Sequence, residues 1–169
     1  MERIGFFGGC FNPPTIAHIE LIEKAMKEYN LDKVYYVPMG DRYQKKGLIP
    51  AYHRIKMLEL ILKDNMDMLY NSVYSPYGMT AAECFREIER EFKNSENFYI
   101  MGSDNFATIE SWPEYEYLMS NFKYIILDRT EKISSRMVRM RLKKGQSVSD
   151  LIYEEVEQYI IKNKLYRDK

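Results

Sequence analysis

Residues 5–25, GFFGGCFNPPTIAHIELIEKA, carry the strongest indication of the fold in the sequence. This stretch opens with a short apolar run, passes through two glycines and two prolines, and continues with apolar residues at a helical spacing. Glycines at the end of a strand let the backbone approach a ligand closely, and Pro13 and Pro14 fix an extended entry into a helix. The stretch therefore predicts a β-strand, a glycine turn, and a helix whose N-cap is Thr15.

Short apolar runs and amphipathic segments alternate along the rest of the chain. The alternation predicts βαβ units, a mostly parallel sheet and an α/β fold class. We find no linker or internal repeat, so residues 1–169 are predicted to form a single domain. The predicted strands after the first are 34–37, 68–74, 97–101 and 122–127; the predicted helices are 16–29, 51–63, 80–92, a short one near Asp104, 114–120, 135–144 and 153–163.

Composition restricts the classes of partner. Lys plus Arg and Asp plus Glu are equal at 25 each, so net charge favours neither nucleic acid nor an anionic membrane. No apolar stretch approaches the roughly 20 residues of a membrane span. The two cysteines, Cys10 and Cys84, are not spaced as metal ligands and are expected to be reduced thiols. These observations favour a cytoplasmic enzyme or binding domain.

His18, one of only two histidines, stands three residues after the predicted N-cap Thr15. A capping box usually has Glu at that position. A helix amino terminus attracts anions, and there Glu would repel a phosphate whereas an imidazole could donate a hydrogen bond to it. The other interpretation is a histidine that only caps the local backbone. The G-x-G-x-x-G dinucleotide spacing is absent, so the junction is not that fingerprint.

A second basic segment is ISSRMVRMRLKKG, residues 133–145. Ser134 or Ser135 can cap a helix that begins there. Cations in a first helical turn oppose the helix dipole, so we expect Arg136 and Arg139 to be held by an anion or an acidic neighbour. The alternative interpretation is a solvated basic face.

Both segments resemble signatures of the nucleotidylyltransferase superfamily, whose members transfer a nucleotide from a nucleoside triphosphate. GGCFNPPTIAH, residues 8–18, resembles G-G-[ST]-F-D-P-x-[HT]-x-G-H and departs from it at Cys10, Asn12 and Ala17. ISSRMVR, residues 133–139, resembles I-S-S-T-x-x-R, with Arg136 in place of Thr. The resemblance implies a Rossmann-like parallel sheet flanked by helices, of the nucleotidylyltransferase type.

By the same resemblance, Ser135 and Arg139 hold the β- and γ-phosphates of ATP, and His18 and Arg139 are the catalytic residues. Arg136 either adds a phosphate contact or lies in solvent. Mg²⁺ is expected to arrive with ATP, without a metal site on the protein itself. The implied ATP-binding residues are Gly8, Gly9, Cys10, Phe11, Thr15, His18, Gly102, Asp104, Ile133, Ser134, Ser135 and Arg139.

Three further stretches resemble the nicotinate-nucleotide adenylyltransferases. FYIMGSDNFATIESWPEYEYL, residues 98–118, resembles their I-G-A-D-x-[LF]…W segment, which implies that Trp112 stacks on the pyridine ring; otherwise Trp112 anchors the core. YGMTAAECF, residues 77–85, places Thr80 as a polar contact to the pyridine substituent. Lys45 and Lys46 are the nearest substitutes for the basic loop that holds the acceptor phosphate.

The activity implied is adenylyl transfer from ATP to nicotinic acid mononucleotide, giving the deamido precursor of NAD and pyrophosphate. The expected partners are thus ATP and a mononucleotide, with no nucleic acid and no membrane, and a homo-oligomer is left open. Two alternatives stay open as well: a pantetheine-phosphate adenylyltransferase, and a nucleotide-binding regulatory protein with little turnover.

Overall fold

The computed structural model describes residues 1–41, 46–68, 80–128 and 135–167. Its strands pair only in parallel, in the spatial order β3-β2-β1-β4-β5. The strands are β1 (Arg3–Gly9), β2 (Lys33–Pro38), β3 (Met66–Met68), β4 (Glu96–Gly102) and β5 (Lys123–Leu127). The helices are α1 (Ile16–Glu28), α2 (Ala51–Ile61), α3 (Ala81–Glu91), α4 (Ser103–Phe106), α5 (Tyr115–Asn121), α6 (Ser135–Lys143) and α7 (Glu154–Lys162), with a 3₁₀ turn at Ile109–Ser111.

The sheet is covered by helices on both faces because its strands are apolar on both sides, as buried parallel strands are. In β1, Phe7 points to the face that packs against α1, α2, α6 and α7, where the core includes Ile22 and Leu58. Phe6 points to the opposite face, where the core includes Ile88 of α3 and Leu118 of α5. This is the α/β architecture that the sequence predicts, and the fold class is confirmed.

The order of the strands determines where a ligand can bind. The chain passes from β1 outward to β2 and β3, then returns to place β4 on the other side of β1. In such sheets ligands bind beyond the carboxyl ends of the strands where this reversal occurs. Phe7 pairs with Ile100 in the register of β1 and β4, so the ends of these strands, at Gly9 and Gly102, open on the same edge of the sheet.

The third strand lies earlier than the sequence predicts. We expected it within 68–74, but β3 is Met66–Met68 and pairs with Val34–Tyr36 of β2. Residues 69–79, which include most of the predicted strand, are outside the described residues. The other predicted elements are found with their ends moved by at most two residues. Within the described parts of the chain, no helix is long and apolar enough to cross a membrane.

Candidate active site

The last two residues of β1 and the loop that joins it to α1, residues 8–15, are referred to as the cradle. Gly8 is exposed at the end of β1, and a Cβ built there would meet only the Met39 methyl carbon, at 3.9 Å. Packing among the described residues therefore does not require a glycine at this position, whereas at Gly9 a Cβ would lie 3.1 Å from the Phe11 ring. A ligand can approach the backbone closely at an exposed glycine, and no packing contact among the described residues explains Gly8 instead.

His18 closes a capping box at the start of α1. Its Nδ1 accepts a hydrogen bond from the Thr15 N–H at 2.9 Å, and the Thr15 hydroxyl accepts from the His18 N–H at 3.3 Å. Because the backbone N–H can only donate, Nδ1 is an acceptor and the neutral ring carries its proton on Nε2. The capping interpretation and the phosphate-donor interpretation are therefore compatible: one ring nitrogen fixes the helix and the other is an N–H donor.

Buried aromatic side chains support the His18 ring. The Phe11 ring is 2% exposed and its centroid lies 5.2 Å from that of His18, edge to face. Tyr36 packs 5.4 Å from Phe11 and donates its hydroxyl to the His18 carbonyl at 3.1 Å. Burial raises the pKa of Tyr36, so the donor stays protonated. Phe11 thus supports His18, and its side chain is not in a position to line an open nucleotide site.

The first turn of α1 contains no acidic residue, so the side chains of that turn do not compensate the helix dipole. One of its first amides is engaged, since the Ile16 N–H donates to the Leu151 carbonyl at 3.0 Å. The Thr15 side chain is fully buried and is used by the capping box. The amino terminus of α1 therefore attracts an anion mainly through its dipole and through His18.

Helix α6 contacts the cradle directly, although the two are more than a hundred residues apart. The Ser135 hydroxyl donates to the Pro13 carbonyl at 2.7 Å. Arg139 Nη1 donates to the Asn12 carbonyl at 2.7 Å. We expected an anion or an acidic neighbour to hold Arg139, but its partner here is a backbone oxygen. A guanidinium has five N–H donors, and with partners among the described residues Arg139 uses one of them, so these contacts leave donors for the oxygens of a ligand. Arg136 is exposed.

Arg54 is a component of the site region that the sequence did not single out for a role. Its side chain is fully buried, and it donates to the carbonyls of Cys10 and Ile49, both at 2.9 Å. Its Nη2 lies 3.6 Å from Asp41 Oδ1. Burial lowers the pKa of the guanidinium, and Asp41 acts in the opposite direction. Arg54 therefore ties the cradle to the segment that leads into α2.

The structure describes only some of the residues that are predicted to bind the acceptor. Lys46 is exposed beside Gly47, whose backbone has φ +82° and whose Cβ position lies 3.9 Å from Arg139 Nε. The segment that follows β2 thus approaches α6 as well as the cradle. Lys45, Ile133 and Ser134 lie outside the described residues, and so do most of the residues that join β5 to α6.

The remaining predicted residues follow β4 or precede α3. Gly102 is buried at the end of β4, and Asp104 is exposed in the first turn of α4. Trp112 is partly buried against the core that contains Ile88 and Leu118, and its Nε1 donates to the Thr108 hydroxyl at 3.0 Å. Thr80 is the N-cap of α3, with its hydroxyl accepting from the Glu83 N–H. The structure thus gives Thr80 a capping bond that the sequence prediction did not include.

The donors around the cradle are an imidazole, a hydroxyl and a guanidinium, which suit phosphate oxygens better than a metal ion. Among the described residues no group of three or more His, Cys, Asp or Glu side chains could hold a metal. The described donor groups at the ends of β1, α1 and α6 are therefore of the types that suit an anion.

A family model described as cytidylyltransferase-like matches residues 6–159, which include both the cradle and α6. The chain belongs to the cytidylyltransferase-like family. The matched range includes β1 from Phe6 onward, the other four strands of the sheet, and all but the last three residues of α7. Family membership therefore covers both segments that the structure brings together.

Curated relatives match this cytidylyltransferase-like chain over almost its whole length. The protein named "Probable nicotinate-nucleotide adenylyltransferase" from Lachnoclostridium phytofermentans is 28% identical over 202 residues, covering 98% of this chain and 100% of the relative. One with the same name from Acholeplasma laidlawii is 28% identical over 182 residues, covering 96% of each. The Plasmodium falciparum nicotinic acid mononucleotide adenylyltransferase, solved with NaAD, has a similar fold, with a TM-score of 0.79 at 22% identity and 98% coverage of each chain.

Proposed function

We propose that this protein transfers the adenylyl group of ATP to nicotinic acid mononucleotide, giving deamido-NAD and pyrophosphate. The observation that carries the proposal is the meeting of the two signature segments: Ser135 and Arg139 of α6 contact the cradle at the Pro13 and Asn12 carbonyls. Full-length curated relatives bear the name of this activity. Both cysteines are free thiols, which fits the reducing cytoplasm that the sequence predicts.

In this reaction a phosphate oxygen of the acceptor attacks the α-phosphorus of ATP in line. One P–O bond forms, the bond to the bridging oxygen breaks, and pyrophosphate leaves with the electron pair. Catalysis then consists of positioning and of stabilising charge on phosphoryl oxygens. We assign the His18 Nε2–H as the donor to the developing charge, and Arg139 as a group that holds the leaving pyrophosphate. Ser135 would join it only when its hydroxyl proton turns from the Pro13 carbonyl to a phosphate oxygen. No step needs a covalent intermediate with the protein.

Mg²⁺ is proposed to enter with ATP, bound through the triphosphate oxygens, where it supplies charge neutralisation. The donor groups described at the cradle suit the phosphates. Asp104, exposed in the first turn of α4, is the carboxylate among the predicted ATP-binding residues. The protein's own contribution is the orientation of the phosphate chain by the cradle and α6.

On the acceptor side we propose Lys46, with Lys45, for the phosphate, and Trp112 for the pyridine ring. The Trp112 indole is partly exposed and is oriented by its bond to Thr108, so one face can receive an electron-poor ring. A polar contact from Thr80 to the ring substituent remains a prediction, because its hydroxyl also caps α3.

The test of the proposed function is pyrophosphate release with ATP and a panel of acceptors. We expect release with nicotinic acid mononucleotide and formation of deamido-NAD, identified by mass. Release only with phosphopantetheine would replace the proposal with the pantetheine-phosphate activity. No release with any acceptor, combined with measurable ATP binding, would favour a regulatory nucleotide-binding protein instead.

Replacing Trp112 by alanine is expected to raise the KM for the mononucleotide about tenfold, because an aromatic stacking contact is lost. The KM for ATP is expected to stay unchanged, and Trp112→Phe should retain much of the acceptor affinity. Trp112 is the only tryptophan, so titration of the unaltered protein with the mononucleotide should also change its indole fluorescence. An unchanged acceptor KM in the alanine variant would show that Trp112 only packs.

A further inference from the structure

The side chain of Asn12 joins three separate segments of the chain. It is 4% exposed, and its Nδ2 donates to the Gly47 carbonyl at 2.9 Å. Its Oδ1 accepts from the Tyr166 hydroxyl at 2.7 Å and from the Ile49 N–H at 3.4 Å. The partners also fix the orientation of the amide, because a backbone N–H can only donate and a carbonyl can only accept.

This arrangement needs an amide at position 12. The superfamily signature that the cradle resembles has Asp there. A carboxylate could still accept from Tyr166, but it has no proton to donate to the Gly47 carbonyl and would place two oxygens against each other. Asn12 therefore does what Asp could not do here: it holds Gly47–Ile49, the segment next to Lys46, against the cradle.

Tyr166 reaches Asn12 because the chain turns back after α7. Lys164, which follows the C-cap of the helix, has φ +55°, and the Leu165 N–H donates to the Ile160 carbonyl at 3.0 Å, as in a Schellman motif. Tyr166 itself has φ +58°, a left-handed conformation that L-residues adopt at a cost. Leu165 and Tyr166 both pack against the core that contains Ile22 and Leu58. Burial raises the pKa of Tyr166, so its hydroxyl remains a neutral donor.

We propose that Tyr166 is a positioning residue of the adenylyl-transfer site, which through the Asn12 amide holds segment 46–49 in the position that binds the acceptor phosphate. The inference rests on the proposed function, and it adds a residue 154 positions from Asn12 to the site. Tyr166 touches neither substrate; it acts on the acceptor through Asn12 and Gly47. Its effect is therefore on acceptor affinity, while ATP, bound by the cradle, His18 and α6, is affected much less.

The test is Tyr166→Phe, which removes one hydroxyl and retains the ring. We expect the KM for nicotinic acid mononucleotide to rise about three- to tenfold, the range of one hydrogen bond, with the KM for ATP and kcat nearly unchanged. Asn12→Asp should also raise the KM for the mononucleotide, but Asn12 belongs to the cradle, so its effect on ATP is not used as a readout. The double variant should have an acceptor KM no higher than that of Asn12→Asp alone. The matched control is Tyr124→Phe, which removes a hydroxyl bonded to the Leu118 carbonyl at 3.0 Å on the other face of the sheet.

Hydrogen exchange of the Gly47, Leu48 and Ile49 amides provides a measurement that does not depend on turnover. Faster exchange of these amides in Tyr166→Phe than in Tyr124→Phe supports the inference. Equal exchange in the two variants, or a rise of both KM values together, would overturn it. If the unaltered protein transferred nothing to nicotinic acid mononucleotide, the proposed function and the acceptor-affinity part of the inference would fail. The exchange measurement would then still decide whether Tyr166 holds the segment.

Discussion

Replacing His18 by glutamate is expected to lower kcat about 10²- to 10³-fold, the usual loss when one donor to developing charge is removed. Glutamate is the standard capping-box residue at this position, so its carboxylate can accept the Thr15 N–H in place of Nδ1. The variant should therefore fold and keep a melting temperature close to that of the unaltered protein. What it loses is the Nε2–H donor, and what it gains is a negative charge at the phosphate site.

His53 provides the control for this experiment. It is the only other histidine, and its Nδ1 lies 2.7 Å from the Tyr159 hydroxyl, where α2 meets α7. His53→Ala should retain kcat even if it weakens that contact. Steady-state rates and thermal unfolding of both variants separate the two roles of His18. A folded His18→Glu protein with unaltered kcat would refute the catalytic assignment.

Replacing Arg139 by methionine is expected to reduce kcat/KM for ATP about 10²-fold or more, because a charged donor to the leaving pyrophosphate is lost. The bond from Arg139 to the Asn12 carbonyl complicates the interpretation, since its loss could loosen the cradle. Arg139→Lys distinguishes the two effects: lysine can still donate to a carbonyl, but it lacks the planar fork that binds phosphate oxygens in pairs. We expect the lysine variant to fold normally and remain well below the unaltered protein in kcat/KM.

Arg141 is the matched control on the same helix. Its Nη1 pairs with Asp150 at 2.7 Å, and it has no proposed role in the site. Arg141→Met should leave the KM for ATP unchanged. Binding of a non-hydrolysable ATP analogue, measured by calorimetry, gives the affinity without turnover. If Arg139→Met bound the analogue and turned over ATP as Arg141→Met does, the triphosphate role of Arg139 would be wrong.

The fold could be predicted from the sequence because local patterns and burial agree. In α1 the spacing that predicts a helix places Ile19, Ile22 and Ala25 in the core. The predicted third strand, residues 68–74, lies almost wholly outside the described residues, and the described part of β3, Met66–Met68, begins two residues before it. An edge strand is defined by its partner as much as by its own sequence. The register of β3 with Val34–Tyr36 has no local signal.

For the site, the sequence identified the two segments but not how they are joined. It presented capping and phosphate donation by His18 as alternatives, because the spacing alone cannot show that an imidazole has a separate nitrogen for each. It could not predict the roles of Arg54 and Tyr166 either. Their partners are the carbonyls of Cys10 and Ile49 and the amide of Asn12, and such contacts depend on where distant loops pass, which residue spacing does not show.

The contacts that complete the site join residues 122, 127 and 154 positions apart. Bringing such distant segments together is opposed by loop-closure entropy, so these bonds are expected to form after the sheet in folding and to open before it in unfolding. On heating or with added denaturant, the protein should then lose its catalytic activity while most of the core is still packed. Catalytic competence is in this sense a separate and more fragile property than the fold that supports it.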